Sequence, residues 1–236
     1  MHIRHKNRLL LAACGLAGVS LAGPLAAEEE LGAGFSLSSN VALTSNYVFR
    51  GWSENDEEPS IQGGFDIAHT SGIYFGTWAA AAAAGALELD YFIGYGHDLT
   101  DTLSLDVGMY YYGYPDAEGD PDTLEFYAGL GLALAVADGD FYVHYSDDYF
   151  GREEASIYLE TNWSIPIAAG FYGIVRAGYL ITDDLEDEEN GVDSIEGFDY
   201  AIGLGYEYGT LDFSLIYADH EEDDDDQVAF TIARSF

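Results

Sequence analysis

The chain has 236 residues and a formal net charge of -36, yet 48% of it is hydrophobic and 15% aromatic. A polar chain this acidic would stay unfolded, but so much apolar surface supports a folded core or a membrane-facing wall. With 7 Lys and Arg against 43 Asp and Glu, nucleic-acid binding is excluded, because it depends on neutralising phosphates with cationic side chains.

The first segment, 1–27, places Arg4, Lys6 and Arg8 ahead of a short apolar stretch that exits through Ala26 and Ala27. That layout predicts a cleaved secretory signal peptide, leaving 28–236 as one domain. Its apolar stretch is broken by Gly15, Gly18, Gly23 and Pro24, so a retained helix is not expected. Cys14, the single cysteine, follows a lipoprotein-like Leu11-Ala12-Ala13 but stands too close to Arg8 for a normal apolar region, and is removed with the leader.

From Phe35 onward apolar residues recur at every second position, the period of a strand. In the first predicted strand Phe35, Leu37, Val41, Leu43, Tyr47 and Phe49 share one face, and Ser36, Ser38, Asn40, Thr44, Asn46 and Arg50 the other. The pattern returns over 61–67, 73–77, 87–95, 103–111, 124–136, 141–145, 157–163, 171–179, 198–206, 211–217 and 228–236, for twelve strands. Five joints are short: 70–72, 99–101, Asp138-Gly139, 166–169 and Gly209-Thr210. They alternate with longer ones at 54–58, 116–122, 147–154, 183–196 and 219–226, which hold 27 of the 43 carboxylates, and with an uncharged alanine-rich joint at 81–87. Short turns on one side and long loops on the other predict a transmembrane antiparallel up-and-down β-barrel in the outer membrane. Aromatic pairs on one face, Phe35 with Phe49, Tyr91 with Tyr95, Phe141 with Tyr149 and Phe198 with Tyr208, read as interfacial girdles.

The segment from Ser39 to Ser53, with Asn46-Tyr47-Val48-Phe49-Arg50-Gly51-Trp52 at its heart, resembles the N-terminal signature of the TorF-type porins, a proteobacterial outer-membrane family. The likeness continues through Pro59 to Asp66, Gly72 to Trp78, Glu88-Leu89-Asp90-Tyr91 and Tyr145 to Gly151. It departs in its heavier acidic load and in the alanine run from Ala79 to Ala84. The last strand, ending at Phe236, also looks like the signal read by the outer-membrane assembly machinery, with Arg234 the one break in its apolar alternation. A barrel of this kind implies outer-membrane lipid and lipopolysaccharide as its surroundings and small hydrophilic solutes or cations as its cargo.

Strand parity assigns Asp66, Glu88, Asp90, Asp106, Glu125, Glu160, Asp199, Glu207 and Asp212 to the interior, against Arg50 and Arg176. The pore-lining set expected from this is Arg50, Asp66, Glu88, Asp90, His144, Glu160, Arg176 and Asp199, with Glu160 and Arg176 as mid-height neighbours beside His144 at the narrowest point. A net-acidic lumen prefers cations. The inward Tyr74, Trp78, Tyr110, Tyr112, Tyr127, Tyr142, Tyr158 and Tyr172 argue for a filled barrel, while Gly94, Gly96, Gly108, Gly129, Gly131, Gly203 and Gly205 argue for an open one.

An outer-membrane hydrolase built on His144, Ser146 and Glu160 is the competing class, but a phospholipase needs its nucleophile facing lipid, and no enzyme activity or cofactor is expected. The loops 183–196 and 219–226 present oxygen ligands suited to Ca²⁺, yet Glu186, Glu188, Asn190 and Gly191 only approximate a calcium loop, and Gly197 stands where its bidentate Glu belongs. Diffuse screening by salt is the favoured reading of that acidity.

Overall fold

The structure, a computed structural model, describes residues 29–115, 117, 119, 121–182 and 195–236. The leader expected at 1–27 and the approximate calcium loop at 186–191 lie outside the described residues.

Each wall strand buries one parity of its side chains and exposes the other, which is what the period-2 pattern demands of a half-wet sheet. The chain runs through β1 (Glu29–Gly32), β2 (Phe35–Thr44), a small hairpin of β3 (Val48–Phe49) and β4 (Trp52–Ser53), then β5 (Ser60–His69), β6 (Ile73–Ala81), β7 (Leu87–Asp98), β8 (Leu103–Tyr112) and β9 (Thr123–Ala133). It continues with β10 (Asp138–Ser146), β11 (Ser156–Ala168), β12 (Phe171–Thr182), β13 (Gly197–Tyr208), β14 (Leu211–His220) and β15 (Gln227–Ser235). β2 and β5 to β15 make twelve antiparallel strands, each paired to its chain neighbour. β15 closes the ring on β2 from Thr231 opposite Thr44 to Ser235 opposite Asn40, and Phe236 and Ser39 exchange backbone hydrogen bonds of 2.8 and 3.1 Å. β1 continues along the same edge of β2 past the point where β15 ends.

The outer surface is apolar: Leu43, Ile61, Phe65, Ile202, Leu215 and Val228 are all more than half exposed. At roughly 3.3 Å per residue and a barrel tilt of about 40°, ten-residue strands span about 25 Å, the height of a bilayer's apolar band. Phe35, Phe141, Phe171 and Tyr208 stand out toward the short-turn rim, and Tyr91, Tyr145, Tyr179 and Phe198 toward the long-loop rim.

Three expectations need correction. The first strand does not reach Arg50; β2 ends at Thr44, whose hydroxyl donates to the Asn46 carbonyl at 2.7 Å as the chain turns into the barrel. Phe49 and Tyr149 are therefore buried inside rather than set in an outer girdle, and Tyr47, expected on the outer apolar face, also lies within. The turn between β9 and β10 is 134–137, closed by the Leu134 amide on the Ala137 carbonyl at 2.9 Å; Asp138 and Gly139 already belong to β10, where the Trp163 ring covers Gly139.

Inward tyrosines and inward glycines prove to be one feature. Tyr74 faces Gly94 across β6 and β7, Tyr127 faces Gly108, Tyr142 faces Gly129 and Tyr172 faces Gly205. In each case a Cβ on the glycine would run into the tyrosine ring or its hydroxyl, so the glycine is the bed on which the ring lies against the wall. These glycines seat aromatics and do not widen the lumen. Gly129→Val should accordingly lower the stability of the folded barrel by about 1–3 kcal/mol, the cost of overpacking a filled site. Urea titration of the heat-modifiable folded band measures it, and adding Tyr142→Ala should recover part of the loss.

Candidate functional site

Interior carboxylates outnumber interior cations, and most are satisfied by neutral phenols. Asp106 accepts from Tyr74 at 2.6 Å and Tyr142 at 2.9 Å, Asp90 from Tyr110 at 3.0 Å, and Glu88 from Tyr114 at 3.1 Å. On the far wall Asp199 accepts from Tyr158 at 2.9 Å and Asp212 from Tyr172 at 2.8 Å. Apart from Tyr114, which follows β8, the rings come from neighbouring or next-neighbouring strands, where cross-strand spacing lets a long aromatic reach a short acid. A buried carboxylate needs donors, and a phenol supplies one without adding charge.

The hairpin of β3 and β4 crosses this interior. Arg50 and Gly51 both have positive φ, 47° and 87°, the pattern of a type I′ turn, which matches the twist of a two-residue hairpin. Gly51 is required twice over, since a Cβ there would come within 3.0 Å of the His220 side chain, the Asp219 carbonyl and Asp199. The base of the hairpin is tied by the Asn55 side chain on the Tyr47 amide and by Ser53 on Asn46, both 2.8 Å, and Asn46 in turn donates to Gln227 on β15 at 2.8 Å. The alanine-rich joint packs on it: the Ala83 amide donates to the Glu54 carbonyl at 2.9 Å. Small side chains in that joint leave room for the backbone contact.

At the hairpin tip Arg50 donates from both terminal nitrogens to both oxygens of Glu125 on β9, 2.8 Å each, with side chains 6% and 1% exposed. Its guanidinium also lies 4.0 Å over the Tyr158 ring and 3.2 Å from the Tyr149 hydroxyl. On the opposite flank Trp52 packs against His220 with ring centroids 4.6 Å apart and the rings tilted by 36°. The hairpin is thus pinned to β9 on one side and β14 on the other. Behind Glu125, His144 approaches its Oε2 with Nδ1 at 3.6 Å and reaches Glu160 with Nε2 at 3.1 Å, which makes a file of alternating basic and acidic groups from Arg50 to Glu160.

Arg50, Glu160, Arg176 and Asp199 border a cavity of about 30 Å³ with Tyr158 and Asn162, room for a water molecule or two. The Arg176 Nε is buried and, among the described residues, has no hydrogen-bond partner. Glu160 and Arg176 are diagonal neighbours across β11 and β12, Glu160 opposite Gly178 and Arg176 opposite Asn162, and both border the cavity. Glu88 and Asp90 lie on the opposite wall beneath Tyr110 and Tyr114, and Asp66 is buried on β5 toward the short-turn end, away from this cluster. Arg50 enters from the hairpin rather than from the wall. Glu125 was legible as an inward acid but not as Arg50's partner, 75 residues distant. Of the hydrolase grouping His144 and Glu160 meet, but the Ser146 hydroxyl donates to the Asp148 carbonyl at 2.9 Å.

Residues 28–236 match the family described as bacterial protein of unknown function, Gcw_chp, and the chain belongs to that family. Among solved structures it is similar in fold to the KdgM porin, with a TM-score of 0.58 at 7% identity over 84% of this chain and 98% of that one. KdgM porin in complex with disordered oligogalacturonate matches with a TM-score of 0.57 at 6% identity over 85% and 97% of the two chains. No curated protein matches the sequence.

Glu54, at the end of the hairpin, connects this site to pH. Burial, then the nearby Glu88, pushes its carboxyl up to about 8 from an ordinary 4.5, with Arg50 pulling weakly the other way. A raised acid favours the docked hairpin when protonated, so its contribution is complete below about 4.5 and is lost as pH climbs through about 8. Acrylamide quenching of Trp52, taken as the difference from Trp52→Phe, should increase over that window in the native chain. In Glu54→Gln the increase should be largely absent.

Proposed function

We propose that this member of the Gcw_chp family is an outer-membrane channel through which small hydrophilic solutes diffuse passively, cations in preference to anions. The observation that carries the reading is the interior charge balance of a closed barrel. Asp66, Glu88, Asp90, Asp106, Asp199 and Asp212 face inward with Glu125 and Glu160, against Arg50 and Arg176. Phenols satisfy many of these acids without adding positive charge, and a carboxylate-lined passage attracts cations.

Location at the outer membrane is supported by the apolar belt, by the leader expected at 1–27, and by the resemblance of the Arg50-Gly51 segment to TorF-type porins. In that setting the wall meets outer-membrane lipid and lipopolysaccharide. The strand ending at Phe236 suits the assembly machinery, with Arg234 held 4.4 Å over the terminal ring in a way that keeps its charge near the interface. The oligogalacturonate named with the KdgM porin is a polyanion, and this interior does not suit one. The path proposed for the solute follows the β11 to β14 wall, where Glu160 keeps 15% of its side chain exposed and Ser164, Ile174, Gly203 and Ser214 are half-buried. Glu160, Arg176, His144 and Asp199 stand where that path meets the hairpin.

One observation favours a second reading. The hairpin is pinned across the lumen at both flanks, and on this second reading it plugs the barrel, which serves as a non-conducting surface or structural protein. Planar-bilayer recording in a KCl gradient separates the two. The channel reading predicts conductance with a cation-directed reversal potential, and a cation-to-anion permeability ratio that falls by about twofold or more in Glu160→Gln with Asp199→Asn. An anion-directed potential contradicts the acidic-lumen argument, and no conductance favours the structural protein.

A further inference from the structure

Arg50 is a side chain of this protein, but the place it occupies is built like a receptor for a ligand. Three of its partners come from outside the hairpin: both carboxylate oxygens of Glu125 from β9, the ring of Tyr158 from β11, and the hydroxyl of Tyr149 from the 147–155 loop. Glu125 is itself oriented, accepting from Tyr112 on β8 at 3.3 Å and flanked by His144 from β10. A carboxylate presenting both oxygens edge-on, with an aromatic face 4.0 Å from the cation, matches a planar guanidinium. An ammonium can use one carboxylate oxygen at a time and stacks less well.

From this we infer that the wall carries a guanidinium-binding site, made by Glu125, Tyr158 and Tyr149, which Arg50 fills in the docked state as a tethered pseudo-ligand. The site adjoins the cavity bordered by Glu160 and Asp199, so a cation held there has further carboxylates along its route. When the hairpin tip lifts, a solute bearing a guanidinium group takes Arg50's place and holds the hairpin away. This assigns a solute class to the channel and rests on the channel reading only for how the solute arrives. It also gives the hairpin a specificity role, since a solute must compete with an intramolecular group whose effective concentration is in the millimolar range or above, on the order of that for short tethers.

The test uses the mature barrel in detergent with methylguanidinium as probe, methylammonium as the less suited cation and urea as the neutral planar control. Titration calorimetry should show Arg50→Ala binding methylguanidinium with half-saturation on the order of 1 mM. Binding to the native chain, to methylammonium and to urea should each be at least about tenfold weaker, a separation set by loss of the bidentate pair. The double variant Arg50→Ala with Glu125→Gln should lose the binding. Arg50→Gln, which keeps a side chain of moderate length at the tip, should give the same ordering if Arg50→Ala does not fold to a heat-modifiable band. Equal binding by native and Arg50→Ala chains, or binding that survives Glu125→Gln, overturns the inference. Calorimetry does not depend on conductance: binding in chains that never conduct leaves the site standing and removes the channel, whereas conductance without binding does the reverse.

Discussion

Arg50 and Glu125 meet inside the barrel through two parallel hydrogen bonds, and the arrangement of the interior depends on that contact. The type I′ turn places the guanidinium, Gly51 allows the tip to press against His220 and Asp199, and the pair holds the hairpin across the lumen. Removing one member of a buried pair leaves the other charged without a partner, at a cost of about 3–5 kcal/mol. Without Arg50, Glu125 would be left with His144, which it shares with Glu160, as the one basic group beside it among the described residues.

Around that contact the barrel handles acidity by hydrogen bonding rather than by neutralisation. Two inward arginines cannot balance the inward acids, so tyrosines donate to them, mostly from two strands away, and four of the inward rings need a strand neighbour without a side chain. Gly94, Gly108, Gly129 and Gly205 meet that need. The rings fill space, and the cavity that remains beside the hairpin, about 30 Å³, is bordered by residues of β11, β12 and β13.

The twelve strands, their two faces and the side carrying the long loops were legible from sequence because a barrel wall imposes a strict alternation on every strand. The hairpin was not. Tyr47 and Phe49 continue the alternation of β2 without a break, since a hairpin strand has the same period as a wall strand, and nothing local marks the turn into the lumen after Thr44. The Asp138-Gly139 pair reads as a turn from its composition, but the glycine is there for Trp163. Tyrosines and glycines seemed to oppose one another because periodicity places residues on a face without showing which lie opposite across strands. The contact of Arg50 with Glu125 is a property of the closed ring, where residues far apart in sequence converge, and single-chain patterns carry no trace of it.

The most direct measurement is a double-mutant cycle on Arg50→Ala and Glu125→Ala, read as the urea midpoint of the folded barrel in detergent. A close buried charge pair that holds the hairpin predicts a coupling energy of at least about 1.5 kcal/mol, with the double variant more stable than the sum of the single losses implies. Additive losses, with coupling near zero, would contradict the account, because the two side chains would then be neighbours that do not hold the hairpin in place.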